Sequence, residues 1–405
     1  ASARYLEGRS IPRPYALGTA AAITLTPAFV FLATSTLMSE CVFTLALLVG
    51  VMLVERAAVR RRRGSVAAAA AMSAVTMLLR TAGAPLLVGA TIYFALKRQW
   101  ASAAIFVGVS LACLAPWLIY SSSLPRSETT SGYMTELGRR WADDPSSGRA
   151  SAREIPERLW RNAVDIFGRD VGAIVLPELY RGPSESGEET ISVGGAWSLM
   201  ASGSMGSARG TMVVSLLLSA MALVGFAVAF RAGPTVSELV VPLSIGLIVI
   251  WPFWSFRFVV PLTPFLFFYL LEGVRALAAS QWTAIARVAL ATIVLLHLGD
   301  HALYIARPSE SVWMQNYDEV DGLLTWMNDN LDGEGGVAAT NPALVTLRTG
   351  RTAVSSGEML KNWDAWKAKG IRYVVAFRGG VELPSTRPYT ILYRTSRRGL
   401  FVVAN

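Results

Sequence analysis

Residues 37–54 read LMSECVFTLALLVGVMLV, followed by Glu55, Arg56 and the unbroken basic run Arg60 to Arg63. About 20 mostly apolar residues in a helix suffice to cross the hydrocarbon layer of a bilayer. One charge, on Glu40, interrupts this stretch, and a cationic cluster ends it. Eight further segments are of the same kind: 16–33, 65–81, 83–96, 100–120, 210–230, 235–253, 257–273 and 282–299. Nine membrane segments are therefore expected, and the fold class is a polytopic α-helical membrane protein. Composition agrees. Apolar residues make up 53% of the 405, charged residues only 16%, and mean hydropathy is +0.43. A soluble domain carries roughly 25% charge. This balance argues against a soluble enzyme, a nucleic-acid binder and a disordered chain, and the net charge of +9 is no sign of a nucleic-acid partner. Lys97, Lys361, Lys367 and Lys369 are the only lysines. The Arg-rich, Ala-rich bias points to a GC-rich bacterial genome.

The basic residues set an orientation, because Lys and Arg gather in short cytoplasmic loops. Arg4, Arg9 and Arg13 precede the first segment. Arg56 and the Arg60 run follow the second, Lys97 and Arg98 the fourth, Arg231 the sixth and Arg275 the eighth. Alternating crossings bring all of these to one side, expected to be the cytoplasm of a bacterial inner membrane. The Arg60 run itself reads as an anchor on anionic lipid. Residues 121–209 and 300–405 then share the outer, periplasmic face. Expected domains are transmembrane helices at 1–120 and 210–300, an extracytoplasmic loop at 121–209 and a small extracytoplasmic α/β domain at 301–405. Cys41 and Cys113 lie in apolar runs, so there is no disulfide framework to read.

Within the outer loop, Leu159, Ala163 and Ile166 share one helical face, widened by Trp160, Val164 and Phe167. This predicts an amphipathic helix, either at the membrane interface or packed on the outer domain. Residues 182–210 are rich in Gly and Ser and read as a mobile lid or a slack linker. In the tail, Trp313–Leu331 has helical periodicity, and Asn341-Pro342 caps and opens a short helix. A helix at 357–369 ends at Lys369-Gly370. Strands are expected at 337–340, 352–355, 371–377, 391–394 and 400–404.

Charge inside a membrane is expensive and marks candidate function. Glu40, Arg80 and Arg257 all fall near the outer ends of their segments. Two guanidinium forks match phosphate oxygens, and a carboxylate either orients one Arg or receives a divalent metal. The plain alternative is an internal ion pair that ties helices together. His297 and His301, at i and i+4 with Asp300 between them, are weak metal-ligand candidates. Trp251, Trp254 and Trp282 read as interface aromatics, with the first two alternatively a sugar platform. Asp143-Asp144-Pro145 reads as a turn or helix end.

These residues resemble a family. Leu37-Met38-Ser39-Glu40 opening a segment, Leu79-Arg80-Thr81-Ala82-Gly83 at a helix end and Arg257-Phe258-Val259-Val260-Pro261-Leu262-Thr263-Pro264 are similar to segments of the GT-C membrane glycosyltransferases. That clan includes protein O-mannosyltransferases and the lipid A aminoarabinose transferase. Leu324-Thr325-Trp326-Met327, Thr349-Gly350-Arg351 and Arg372-Tyr373-Val374-Val375 resemble its outer domain. The resemblance implies a polyprenyl-phosphate sugar donor in the outer leaflet, an acceptor the sequence does not name and phosphate contacts from Arg80 and Arg257. It also implies a catalytic carboxylate in a first outer loop. No residue here matches that loop, and neither Glu40 nor Asp143 substitutes for it. The expectation is either two further helices before Ala1 or a GT-C-like scaffold that serves as a subunit of a membrane complex. A transporter fits less well, since no inverted repeat is visible.

Overall fold

The computed structural model describes residues 1–34, 39–123, 137–140, 149–179, 209–252, 255–306, 312–331, 335–339, 341–355, 370–376, 390–396 and 401–404. Residues 182–208 of the expected lid, the expected helix at 357–369, the Asp143-Asp144 pair and Trp254 lie outside these. The chain divides into two compact units, Ala1–Ser131 with Ser151–Ala306, and Gly132–Ala150 with Arg307–Asn405.

The first unit is helical. Its elements are α1 (Ser2–Gly8), α2 (Arg13–Leu25), α3 (Pro27–Thr34), α4 (Glu40–Arg60), α5 (Arg63–Leu79), α6 (Ala84–Leu96) and α7 (Trp100–Ser123). They continue with α8 (Glu154–Asp165), a π-turn (Ile166–Asp170), α9 (Val171–Val175), α10 (Arg209–Arg231) and α11 (Val236–Ile250). Last come α12 (Phe256–Val259), α13 (Thr263–Ala278) and α14 (Trp282–Ala306). Four stretches are long and apolar enough to cross a membrane: Glu40–Arg60, Trp100–Ser123, Thr211–Arg231 and Phe256–Ala302. Shorter apolar helices are Arg63–Leu79, Thr81–Leu96 and Val236–Ile250. The 47 residues of Phe256–Ala302 are not one rod. At about 1.5 Å per residue a single helix of that length would far exceed a bilayer core. Ala279, with φ of 39°, turns the chain between α13 and α14.

Two expected segments are broken where proline dictates. Segment 16–33 is divided at Thr26, because Pro27 opens α3 and supplies no backbone N–H to α2. Segment 257–273 passes from α12 through a 3₁₀ turn, Val260–Leu262, before α13 begins, with Pro261 and Pro264 each at a helix start. At the crossing of α10 and α13, glycines on both helices make the contact. A Cβ at Gly225 of α10 would collide with the carbonyl of Tyr269 on α13, and one at Gly273 with the carbonyl of Met221. Small residues at such crossings let apolar helices pack without help from water.

Helix α8 is amphipathic, as expected, and the stripe it buries against the protein is the polar one. Its buried residues are the polar Arg158 and Asn162, while Ile155 and Trp160 are exposed. Asn162 Nδ2 donates to the carbonyls of Val249 (2.9 Å) and Trp251 (2.8 Å), which α11 leaves open at its end. The polar stripe faces protein because open carbonyls are there to be satisfied.

The second unit holds α15 (Val312–Asn330), α16 (Pro342–Thr349) and five strands: β1 (Gly336–Ala339), β2 (Ala353–Ser355), β3 (Ile371–Ala376), β4 (Thr390–Arg394) and β5 (Phe401–Ala404). Sheet order is β2-β1-β3-β5-β4, with β1 parallel to β2 and β3, and β5 antiparallel to β3 and β4. Leu323, Leu324, Met327, Val337, Val345, Val375 and Val402 form the core. Asn341 Oδ1 accepts from Leu344 N at 3.2 Å, and Pro342 opens α16. Gly350, at φ 67°, ends it.

Candidate functional site: a carboxylate between two arginines

The site begins at the N-terminus of α4. Glu40 lies in the first turn, where a carboxylate complements the helix dipole, and it is fully buried. Arg80 stands at the C-terminal end of α5 with extended backbone (φ −155°, ψ 136°), so the chain leaves the helix at that residue. The following 3₁₀ turn, Thr81–Gly83, is closed by Gly83 N donating to Arg80 O at 2.8 Å. A Cβ at Gly83 would lie 2.8 Å from the backbone of Thr76 and Met77, so only glycine fits the turn. Arg257 is carried by the single turn α12.

Packing brings the three together. Arg257 Nε donates to Glu40 Oε1 at 2.5 Å, and Arg80 Nη1 is ion-paired with the same oxygen. The second carboxylate oxygen, Glu40 Oε2, is buried with no hydrogen-bond partner among the described residues. The Arg80 guanidinium also lies over the Phe258 ring, 5.6 Å from its centroid, and Phe258 meets Trp251 edge-on at 6.4 Å. Arg80 is 14% exposed and Arg257 38%. One carboxylate faces two guanidinium groups, leaving one cationic charge over. A dry cationic site attracts an anion far more strongly than a wet one.

Beside this triad, Ser255 Oγ donates to Asp170 Oδ2, and Arg169 Nε donates to Asp170 Oδ1 at 2.8 Å. Asp170 is fully buried, and burial pushes its carboxyl up to about 6 despite Arg169. Sequence reading missed both Asp170 and Ser255. The only available signal was the Arg169-Asp170 pair inside the outer loop. Ser255, two residues before Arg257, looked like an ordinary turn residue.

A second charged cluster sits at the other end of α4. Arg9 grips Glu238 with both Nη groups, at 2.7 and 3.2 Å, and its guanidinium covers the Phe268 ring. Thr235 and Glu238 form a capping box at the start of α11. Tyr269 Oη donates to Glu238 Oε1 at 3.1 Å. Glu55, near the end of α4, approaches the same turn through Thr235 and the Val236 backbone. In the sequence, Arg9 reads only as a marker of orientation.

The histidines do not converge. His297 is fully buried and bonds Glu178 Oε1 through Nδ1 at 2.6 Å, whereas His301 Nε2 bonds the carbonyl of Leu25 at 2.8 Å. Their i, i+4 spacing stands, but each ring is committed to a different element. Among the described residues, no group of three His, Cys, Asp or Glu side chains is placed to hold a metal ion. The chain matches no protein-family model, and no curated protein is significantly similar to it.

Proposed function

We propose that the chain is a membrane glycosyltransferase of the GT-C kind, which moves a sugar from a polyprenyl-phosphate donor to an acceptor on the outer face of the bacterial inner membrane. The observation that carries this reading is the Glu40–Arg80–Arg257 triad: two partly buried guanidiniums share one carboxylate oxygen, with one positive charge uncompensated. A polyprenyl-phosphate sugar is a phosphodiester with one negative charge, which matches that excess. In the transfer, an acceptor hydroxyl attacks the anomeric carbon and a general base takes its proton. The bond between that carbon and the phosphate oxygen breaks, and the phosphate leaves with a second negative charge. Arg80 and Arg257 stabilise that developing charge. The base is not assigned to any residue of this chain.

The reading includes nine crossings, Arg-rich junctions in the cytoplasm and a periplasmic C-terminal unit. Orientation is tested with Cys41 and Cys113 replaced by Ala. Ser151→Cys should react with a membrane-impermeant thiol reagent in spheroplasts, and Ser65→Cys should not. The reverse pattern overturns the outer placement of the triad.

Function is tested by Arg80→Ala and Arg257→Ala. Each should lower sugar transfer from a polyprenyl-phosphate sugar by about a hundredfold or more, as loss of a charge-stabilising donor does. Unchanged transfer in both variants sinks the assignment. The second reading is a non-catalytic scaffold of a membrane complex, in which Glu40 holds the two arginines permanently. It is favoured by the complete burial of Glu40 and its pairing with both arginines. It requires that the protein carry no polyprenyl-phosphate lipid.

A further inference from the structure

Building on the phosphate-site reading above, we propose that Asp170 is a positioning residue: by holding Ser255, it sets the turn that presents Arg257.

The argument starts at the π-turn Ile166–Asp170. A π-turn inserts one extra residue into a helical register, re-aims the side chains after it and frees a carbonyl from the helical ladder. Here the carbonyl of Phe167 accepts from Ser219 Oγ at 2.7 Å and Ser215 Oγ at 3.1 Å, and Ser215 Oγ in turn accepts from Gly172 N at 3.0 Å. Two serines one helical turn apart on α10 thus brace the widened turn, so its last residue, Asp170, stands on a fixed base.

Asp170 in turn fixes Ser255. Ser255 Oγ donates to Asp170 Oδ2, and Ser255 is 1% exposed. The Ser255 carbonyl accepts from Phe258 N at 2.9 Å and Val259 N at 3.1 Å, so Ser255 is the residue from which α12 winds. Arg257 is the second residue of that single turn. A four-residue helix has no stability of its own, so its placement depends on the residue at its start. Both Asp170 oxygens are occupied, the other by Arg169. Asp170 therefore does not reach a substrate and acts through Ser255 and Arg257. A buried carboxylate costs more than an apolar side chain at the same place, and the geometry it enforces on α12 is what it contributes.

The test uses the full chain in detergent and a synthetic polyprenyl phosphodiester with a glucose headgroup as probe. Asp170→Ala and Ser255→Ala should each weaken probe binding about tenfold, as loss of a buried hydrogen bond would if transmitted to the site. Asp170→Asn, whose amide oxygen still accepts from Ser255, should bind within a few-fold of wild type. In an Arg257→Ala background, Asp170→Ala should cause no further loss, because two residues acting through one contact do not add. An equal loss in both backgrounds marks a general structural role and overturns the proposal. A second measurement needs no lipid: amide exchange at Phe258 and Val259 should quicken about tenfold in Asp170→Ala, as a released local turn opens more often. Unchanged exchange there overturns the proposal whatever the probe does. If the wild type does not bind the probe, or Arg257→Ala binds it equally well, the phosphate-site reading fails instead, and the exchange result still decides whether Asp170 positions the turn.

Discussion

The two ends of α4 carry opposite charge arithmetic. At Glu40, one carboxylate faces Arg80 and Arg257. At Glu55, about 22 Å along the same helix by its rise per residue, two carboxylates, Glu55 and Glu238, lie within the field of Arg9, which is ion-paired with Glu238. The bonding differs as well. Both oxygens of Glu238 are engaged, by Arg9, Tyr269 and the Thr235 capping turn. Glu40 spends one oxygen on two cations and leaves the other buried without a partner. Glu55 Oε1 is likewise buried without a hydrogen-bond partner among the described residues, so an orphan oxygen is common to both ends, and the difference lies in the balance of charge. Only the surplus guanidinium charge of Arg80 and Arg257 is complementary to an anion, since an unpartnered carboxylate oxygen repels one. On the phosphate-site reading proposed above, the Glu238 end is a clamp between helices and the Glu40 end a receptor for an anion.

This contrast is easiest to break by removing one partner at each end. Arg9→Ala leaves Glu238 buried without its cation and should destabilise the protein by about 3–5 kcal/mol, read as a lower melting temperature in detergent. Arg257→Ala, at a residue 38% exposed, should cost clearly less. Equal losses would mean that both clusters are clamps.

Glu40→Gln sharpens the comparison. It leaves two guanidiniums facing one another, so melting should drop by about 2–4 kcal/mol, and an added phosphodiester lipid should restore much of it by binding the folded state. Glu238→Gln should show no such rescue, because only one cation is left there, with Glu55 nearby and the Thr235 hydroxyl still accepting from it. Rescue of both variants, or of neither, would erase the distinction.

The smallest effect concerns pH. The Asp170 carboxyl titrates near about 6 when folded, above its ordinary 3.8. Between those values the folded state binds a proton that the unfolded chain has lost, so stability falls as pH rises through that window and is level above it. The shift corresponds to at most about 3 kcal/mol. The difference in melting temperature between wild type and Asp170→Asn should therefore change between pH 4 and 6.5, the wild type losing ground as pH rises. A constant difference would mean that burial does not raise the Asp170 carboxyl on folding.

Much of the helical architecture was legible because it is local. Apolar run length, the Asn341-Pro342 start of α16 and its stop at Gly350 depend on neighbours within a few residues. Even the candidates Glu40, Arg80 and Arg257 stood out for a local reason: charge in an apolar run is costly wherever it is placed. The capping box at Thr235 and Glu238 is likewise a local spacing, although it was not picked out in the sequence. Its partner Arg9 is not local, since it lies 229 residues away in sequence from Glu238.

What the sequence by itself determined, then, is that the first unit is built of apolar helices and that charges such as Glu40, Arg80 and Arg257 need a partner; whether a proline breaks a helix, as Pro27 does, or lies inside one, as Pro116 and Pro242 do, was decided by the fold. Tertiary structure alone decided the pairing. Glu40 meets Arg257 across 217 residues, and nothing in either segment names the other. Packing likewise turned the polar face of α8 inward, because the open carbonyls of Val249 and Trp251 lay there to be satisfied. It also committed His297 and His301 to separate partners. Hydropathy and helix propensity are properties of neighbouring residues. A buried charge or hydrogen-bond donor is satisfied by whatever the packing of distant helices brings within about 3 Å, and only the assembled bundle specifies that.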